Sequence, residues 1–263
     1  MTGRSLARIG LAVPALLVIG GALIGPWLVG GDPGEIVALP YTSPEPGLPL
    51  GADHSGRDVL DRLLAGGRPL VLVPVTAVVL TAVLGTATGM AAGYFGGVWD
   101  AVVSRWDGIL LTVPPILVLL VLLHGWGYSS FTLILVVLVV GVPFVSRMVR
   151  AATRQVMRDG YVEQAIAQGE RPMAVLVREI LPNVLRPIVA DAGTRLAIAV
   201  TLTASAGFLG FGPDEPNWGA MISQNVEGIG LTPWGVIAPA SCLATLAVSA
   251  NLALDRFAAR IGR

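Results

Sequence analysis

The chain has 263 residues, 54% of them hydrophobic and 13% charged, and its formal net charge is zero. Average soluble domains are roughly 45–50% apolar and about 25% charged, so this composition indicates a membrane protein. A neutral chain lacks the broad basic field that gathers nucleic acid, so no nucleic-acid partner is expected.

The absence of lysine and the presence of a single cysteine exclude further kinds of functional site. All 17 basic residues are arginine. A Walker A loop needs a lysine on the nucleotide phosphates, and Schiff-base catalysis needs an amine, so the chain carries neither site in those forms. The one cysteine, Cys242, cannot form an internal disulfide and lies in an apolar run, where we expect a small buried hydrophobic side chain.

Long runs without an ionisable residue predict the membrane-spanning helices, each of which needs about 20 residues. The 39-residue run between Asp107 and Arg147 is interrupted by HGWGYSS (residues 124–130), whose glycines and aromatics favour a short exposed turn. We therefore predict an all-α polytopic membrane protein with six transmembrane helices. The spans are 9–30, 70–93, 109–124, 130–149, 187–209 and 232–254.

The first predicted span follows Arg4 and Arg8, as the apolar core of a signal peptide would. Its 23 uncharged residues rise about 34 Å, enough for a bilayer core of about 30 Å, whereas a signal peptide needs only about 7–15 apolar residues. No clear cleavage site of small residues precedes Trp27. We interpret this span as a retained transmembrane helix within an N-terminal region of residues 1–69.

The segment between the first two spans ends with GADHSGRDVLDRLLAGGR (residues 51–68). Asp53, Arg57 and Asp58 have two interpretations. They could form an external network that receives a partner protein or shapes an outer gate, or they could cap and neutralise the amphipathic run that follows. His54 and His124 lie far apart and have no neighbouring ligands at metal-site spacing, so no metal site is predicted.

A long polar interruption, residues 150–186, lies between spans four and five, and we call it the coupling loop. Val162, Ala165 and Ile166 have helical spacing, Gly169 is suited to end that helix, and Pro172 is suited to start another. The second helix carries an apolar stripe, and Pro182 is expected to stop it. The residues of this apolar stripe are Met173, Leu176, Val177, Ile180 and Leu181. The pattern alone fits either a docking surface or a helix resting on lipid headgroups.

Two features follow the coupling loop. Asp191 and Arg195 are four residues apart in span five, which permits an ion pair that either neutralises itself or takes part in a translocation path. The loop 212–230 is acidic and aromatic, and Asp214, Glu215 and Trp218 make it a candidate contact for an external partner.

The arginines predict the orientation. With the N-terminus inside the cell, thirteen of the 17 arginines are cytoplasmic, Arg195 lies within span five, and only Arg57, Arg62 and Arg68 are outside. This distribution follows the positive-inside rule and predicts that both termini, including the tail 256–263, are cytoplasmic.

The coupling loop resembles the cytoplasmic signature of permease subunits of bacterial ABC importers, which reads E-A-A, three residues, Gly, and then an apolar helix ending in Leu-Pro. The matching residues are Glu163, Gln164, Ala165, Gly169, Leu181, Pro182 and Asn183; Gln164 and Glu170 depart from the usual residue types. Residues 51–68 resemble the G-T-D-x-x-G-R-D segment of the dipeptide, oligopeptide and nickel group, with Ala52 in place of Thr. The likeness continues through 91–100 and 208–224 and covers roughly residues 51–255.

The resemblance implies a permease domain over residues 70–255 in a bacterial inner membrane. In such importers two permease subunits, usually related but not identical, form the path. Two ATPase subunits bind ATP and Mg and contact the coupling loops, and an extracellular solute-binding protein delivers the solute. The chain itself would hold no cofactor and would not be an enzyme. Its ATPase-docking surface would comprise Tyr161, Glu163, Gln164, Ala165, Ala167, Gln168, Gly169 and Pro182.

The solute implied is a di- or oligopeptide, with nickel or another solute of the same group as the alternative. Two other classes are disfavoured. A secondary transporter would carry its own energy coupling in intramembrane acids and repeated halves, but only Asp191 qualifies. An intramembrane enzyme would need a nucleophile with a base at membrane depth, and neither histidine has a suitable neighbour in sequence.

Overall fold

The computed structural model describes residues 3–212 and 215–261, with side chains over 14–212, 215–249 and 251–253. Within these residues the chain is helical, and its β features are two isolated bridges, Glu45–Leu48 and Ala52–Asp58. The helices are α1 (Gly3–Leu28), α2 (Val59–Ala65), α3 (Arg68–Phe95), α4 (Gly97–Thr112), α5 (Pro115–Trp126), α6 (Ser130–Val156), α7 (Gly160–Ala167), α8 (Pro172–Ala174), α9 (Leu181–Phe208), α10 (Trp218–Asn225) and α11 (Trp234–Ile261).

Several of these helices suit a bilayer. In the described part of the chain, three stretches are long and apolar enough to cross one: Val59–Phe95, Ser130–Val156 and Trp234–Ala253. They contain the predicted spans 70–93 and 130–149 and most of 232–254. The predicted first span falls on α1 and the fifth on α9. The all-helical membrane fold is therefore confirmed.

The predicted third span, 109–124, is not one straight helix. α4 and α5 meet at an angle of 89°, and the two count together as one broken span or a re-entrant loop. The break lies at Val113 and Pro114, whose backbones are extended. Because Pro115 disfavours the helical conformation in the residue before it, α4 cannot continue through this point.

Pro182 does not stop the helix that begins at Pro172, contrary to the sequence expectation. A π-helical segment, Val175–Ile180, follows α8 directly and leads without interruption into α9. Pro182 then lies in the first turn of α9, directly after the π segment. The wider π turn thus replaces the predicted end of the helix.

The closest packing in the bundle joins α3 to α6. Gly85, Gly89 and Gly93 form a stripe with four-residue spacing on α3. A Cβ atom added to Gly89 would lie 3.0 Å from Cβ of Val149, and one added to Gly93 would lie 2.8 Å from Cβ of Thr153. Small residues permit this approach, as in many membrane helix pairs.

Three clusters of buried residues follow α3 along its length, about 42 Å at the usual rise per residue. Near its start, Leu70 belongs to the same cluster as Trp218 of α10, which we call the external cluster. Ala77 lies in a middle cluster shared with α5, α6 and α9. Near its end, Met90 lies with Val162 of α7 in the coupling cluster. The segment before α2 and the coupling loop are therefore at opposite ends of the bundle.

The glycine stripe predicts a sharp difference between two glycine substitutions. We expect Gly89→Leu to destabilise the protein by roughly 1–3 kcal/mol or more, because the side chain must separate α3 from α6. Gly108→Leu is the matched control, because a Cβ there meets nothing within 4 Å. The measurement is the temperature at which each purified variant loses its monodisperse state in detergent. Equal melting temperatures would contradict the packing assigned to the stripe.

Candidate functional site

The coupling loop contains a short helix that ends in a sharp bend. Gly169 has a φ of +79°, and the N–H groups of Gly169 and Glu170 donate to the carbonyl oxygens of Ile166 (3.0 Å) and Ala165 (3.2 Å). This is the Schellman arrangement, which favours glycine because other residues rarely adopt a positive φ. Pro172 then begins the next helix. The predicted bend is therefore confirmed.

One face of α7 is fixed to the bundle. Val162 is fully buried and Ala165 is 9% exposed, and both belong to the coupling cluster. Of the residues predicted to dock an ATPase, Ala165 therefore faces the transmembrane helices and not the exposed surface. Val162 and Ala165 are three residues apart and so lie on the same face of α7, which is buried. The other residues of this short helix are exposed.

The other face of α7 is exposed. The predicted residues Glu163, Gln164, Ala167, Gln168 and Gly169 are all exposed. Two larger side chains add apolar area to this polar surface: Tyr161, which is 43% exposed, and Ile166, which is 41% exposed. Ile166 shares the helical spacing of Val162 and Ala165 in the sequence, but the structure places it on the exposed face.

The stripe predicted for the second helix is also wrong in part. Leu176 and Ile180 are buried, but Met173 and Val177 are mostly exposed, and Val175 takes the buried place instead. The prediction assumed 3.6 residues per turn, whereas the π-helix over Val175–Ile180 turns more slowly and shifts the buried register. Pro182, also predicted for docking, is exposed beside this segment.

An ion-pair network lies near the same end of the bundle and was missed from sequence. The Asp100 carboxylate contacts Nε of Arg150, and its Oδ2 lies 2.6 Å from Nη2 of Arg154. About two turns further along α4, the hydroxyl of Ser146 donates to the buried carboxylate of Asp107 at 2.8 Å. The partners are about 40 residues or more apart, so spacing within one helix could not reveal them. Together they fix α4 to α6.

At the other end of the bundle, Asp53 forms a buried ion pair. Its carboxylate lies 3.0 Å from Nη1 of Arg62, and both side chains are 1% exposed. The same carboxylate accepts hydrogen bonds from the backbone N–H groups of Ser55 and Arg57 at 2.8 and 2.9 Å. Asp58 caps α2 by accepting from the N–H of Leu60. These are the contacts that the capping interpretation of this segment predicts.

Residues of α10 hold that segment in place. Arg62 donates to the side-chain oxygen of Gln224 at 3.3 Å, and the backbone N–H of His54 donates to the side-chain oxygen of Asn225 at 2.9 Å. The indole N–H of Trp218 donates to the carbonyl oxygen of Leu63 at 2.7 Å. The external cluster and these bonds join two regions about 160 residues apart in sequence.

Burial limits which of the predicted external residues can meet a partner. Asp53 and Trp218 are nearly inaccessible, so neither side chain can be a direct contact in this conformation. Glu215 is exposed, and Arg57 is half-buried. Asp214 lies outside the described residues. In the described part of the chain, no three His, Cys, Asp or Glu side chains lie close enough to hold a metal ion.

Comparison with known proteins gives a consistent result. Residues 85–263 match the family described as binding-protein-dependent transport system inner membrane component. The dipeptide transport system permease protein DppC of Alkalihalophilus pseudofirmus is 31% identical over 208 residues, 78% of this chain and 68% of the relative. DppC of Haemophilus influenzae is 31% identical over 243 residues, which cover 89% of this chain and 82% of the relative. The glutathione transport system permease protein GsiD of Pectobacterium atrosepticum is 29% identical over 208 residues, which cover 78% of this chain and 69% of the relative.

Solved structures support the fold. The chain is similar to a chain of the MetNI methionine ABC transporter in an inward-facing conformation, with a TM-score of 0.56 and 22% identity. The similarity covers 73% of this chain and 94% of the transporter chain.

The buried ion pair predicts unequal effects for two neighbouring arginines. Arg62→Met leaves the Asp53 carboxylate buried without its cation, and we expect a loss of roughly 3–5 kcal/mol in the stability of this segment. Arg57→Met is the control, because its guanidinium makes only a long hydrogen bond of 3.5 Å to Ser55. Hydrogen exchange of residues 51–65 measures the effect. If the unpaired charge of Asp53 is the cause, the double variant Asp53→Asn/Arg62→Met should regain protection from exchange. Similar protection in Arg62→Met and Arg57→Met would contradict this explanation.

His54 makes the same contact sensitive to pH. Burial lowers the pKa of His54 below 6.5, and Arg57 and Arg62 act in the same direction, although the Asp53 carboxylate opposes them. The unfolded segment therefore binds a proton more readily than the folded one, so stability is full above pH 6.5 and falls as the pH drops below it. We expect exchange of residues 52–58, corrected for intrinsic rates, to accelerate between pH 7.5 and 5.5. His54→Gln should remove that dependence, and its persistence would exclude His54 as the cause.

Proposed function

The chain belongs to the family of binding-protein-dependent transport system inner membrane components, and from this membership we propose that it forms half of the translocation path of an ATP-driven peptide importer. It is a permease subunit of an ABC importer. The observation that carries the proposal is the coupling loop, in which one face of α7 is anchored in the bundle and the other is free.

The exposed face of α7 is the docking surface for an ATPase subunit. Glu163, Gln164 and Gln168 offer polar contacts, and Tyr161 and Ile166 offer an apolar centre, the composition expected of a small protein interface. ATP and Mg are bound and ATP is hydrolysed in the partner ATPase subunits. Because Val162 and Ala165 join α7 to α3, α6 and the helix leading into α9, movement of α7 by the ATPase reaches the spanning helices directly.

The membrane arrangement follows from the helices and the arginines. Six spans are formed by α1, α3, the bent pair α4 and α5, α6, α9 and α11. Both termini and the coupling loop are cytoplasmic, as the positive-inside rule requires, and the segment before α2 faces outward with α10. A second permease, usually a related and non-identical chain, completes the path, and an extracellular solute-binding protein delivers the solute at the outer face.

The proposed solute is a short peptide. The relatives DppC and GsiD are named for transport of dipeptides and of glutathione, itself a short peptide. No observation favours nickel over a peptide.

Co-reconstitution tests the proposal as a whole. The chain, its candidate partner permease and ATPases are assembled in proteoliposomes, and a panel of di- and tripeptides is presented by the solute-binding protein. We expect peptide-stimulated ATP hydrolysis and ATP-dependent uptake. Transport without any ATPase subunit, or failure of the chain to co-purify with one, would refute the proposal.

The bend at Gly169 predicts loss of coupling without loss of folding. A β-branched residue at this positive φ costs roughly 1–3 kcal/mol, enough to change the population of the docked conformation about tenfold. We therefore expect Gly169→Val to insert normally but to lose most of its peptide uptake and peptide-stimulated ATP hydrolysis. Gly108→Val is the control, because Gly108 has no positive φ and an added Cβ also meets open space. Normal uptake by Gly169→Val at equal expression would show that the bend does not transmit the movement.

A further inference from the structure

An ion pair lies near the middle of α9. Arg195 donates from Nε to Oδ2 of Asp191 at 2.9 Å and from Nη2 to Oδ1 at 3.2 Å, so the pair is bidentate. Arg195 is 14 residues from the start of α9 and 13 from its end, about 20 Å from each. Charges at such a depth are costly in a spanning helix and usually mark a functional site.

The ion pair is neither fully buried nor fully exposed. The side chains of Arg195 and Asp191 retain 13% and 20% of their exposure. The Arg195 guanidinium lies over the ring of Phe144 on α6, 4.4 Å from its centre. Phe144 is itself 42% exposed. The three side chains therefore form a small polar and aromatic patch where α6 meets α9.

The surface beside this patch is polar for a spanning helix. Thr194, Ile198, Thr201 and Ser205 follow Asp191 at intervals of three and four residues, and each is exposed or half-buried. The hydroxyls of Thr201 and Ser205 are satisfied by carbonyl oxygens of α9 itself, so they alone would not require water. An ionised pair reaching the same face does disfavour lipid. This face of α9 is therefore suited to a hydrated path.

Arg195 also keeps unused hydrogen-bonding capacity. A guanidinium has five N–H donors, and among the described residues Asp191 is its only hydrogen-bond partner, through two of its nitrogens. The contact with the ring of Phe144 helps to hold the group in place and leaves N–H donors for another acceptor. Carboxylates match the geometry of these donors.

We propose that Asp191, Arg195 and Phe144 form a subsite on the wall of the translocation path, where Arg195 binds the carboxylate of the peptide in transit. This inference rests on the proposed function, since it assigns a role within the same path. Asp191 holds the guanidinium in place and lies where the ammonium group of a zwitterionic peptide can approach. Polar contacts at this site select peptides over neutral solutes of similar size.

The test uses the complete assembly in proteoliposomes with Ala-Ala at saturating loaded binding protein. We expect Arg195→Gln to lower the maximal uptake rate about tenfold or more, the scale of a lost charge-assisted hydrogen bond, with Arg195→Lys intermediate. Arg105→Gln, which removes an exposed arginine from α4, should leave uptake unchanged. Basal ATP hydrolysis and thermal stability are measured for each variant, so that misfolding is recognised.

Charge reversal separates recognition from a purely structural ion pair. Asp191→Arg/Arg195→Asp keeps opposite charges at the two positions but moves the cation, so uptake of Ala-Ala should stay low while basal ATP hydrolysis persists. Wild-type uptake by the reversed pair, or by Arg195→Gln, would overturn the proposed subsite. Failure of the wild-type assembly to take up any peptide would instead refute the peptide-importer function, so the two failures are distinguishable.

Discussion

The contact between α3 and α6 is the constraint on which the bundle depends. Lipid offers no hydrophobic driving force for helix association, so helices in a bilayer are held by close packing and by polar contacts. Gly85, Gly89 and Gly93 allow α3 to approach α6 at backbone distance, and buried clusters extend from this contact toward both ends. The segment before α2 and the coupling loop are attached to opposite ends of this helix pair.

In the proposed importer, that close packing lets a short helix transmit the movement of an ATPase subunit. α7 has only eight residues and would be marginal alone, but Val162 and Ala165 fix it to the coupling cluster. The Schellman bend at Gly169 sets its direction relative to the helix that leads into α9. A push on the exposed face is therefore delivered to a packed structure rather than absorbed in a loose loop.

Features that depend on neighbouring residues could be predicted from the sequence better than contacts between residues far apart in the chain. The bend at Gly169 and Pro172 and the Asp58 cap depend on nearby residues, and the sequence contains their signals. The burial of Val175 in place of Val177 depends on a π turn, which alters the period that pattern reading assumes. The buried Asp53–Arg62 pair is completed by Gln224, 162 residues beyond Arg62, and no spacing rule reaches that far.

The break between α4 and α5 separates two helices with different attachments. α4 is fixed to α6 through Asp100 and Asp107, whereas α5 contributes Leu119 and Leu123 to the middle cluster. Val113 donates back to Leu110 and Pro114 accepts from Leu117 and Val118, so among the described residues no backbone hydrogen bond runs from α5 to α4 across the break. The pair is thus jointed at these two residues, so rotation of a few backbone dihedral angles there changes the tilt of one helix relative to the other.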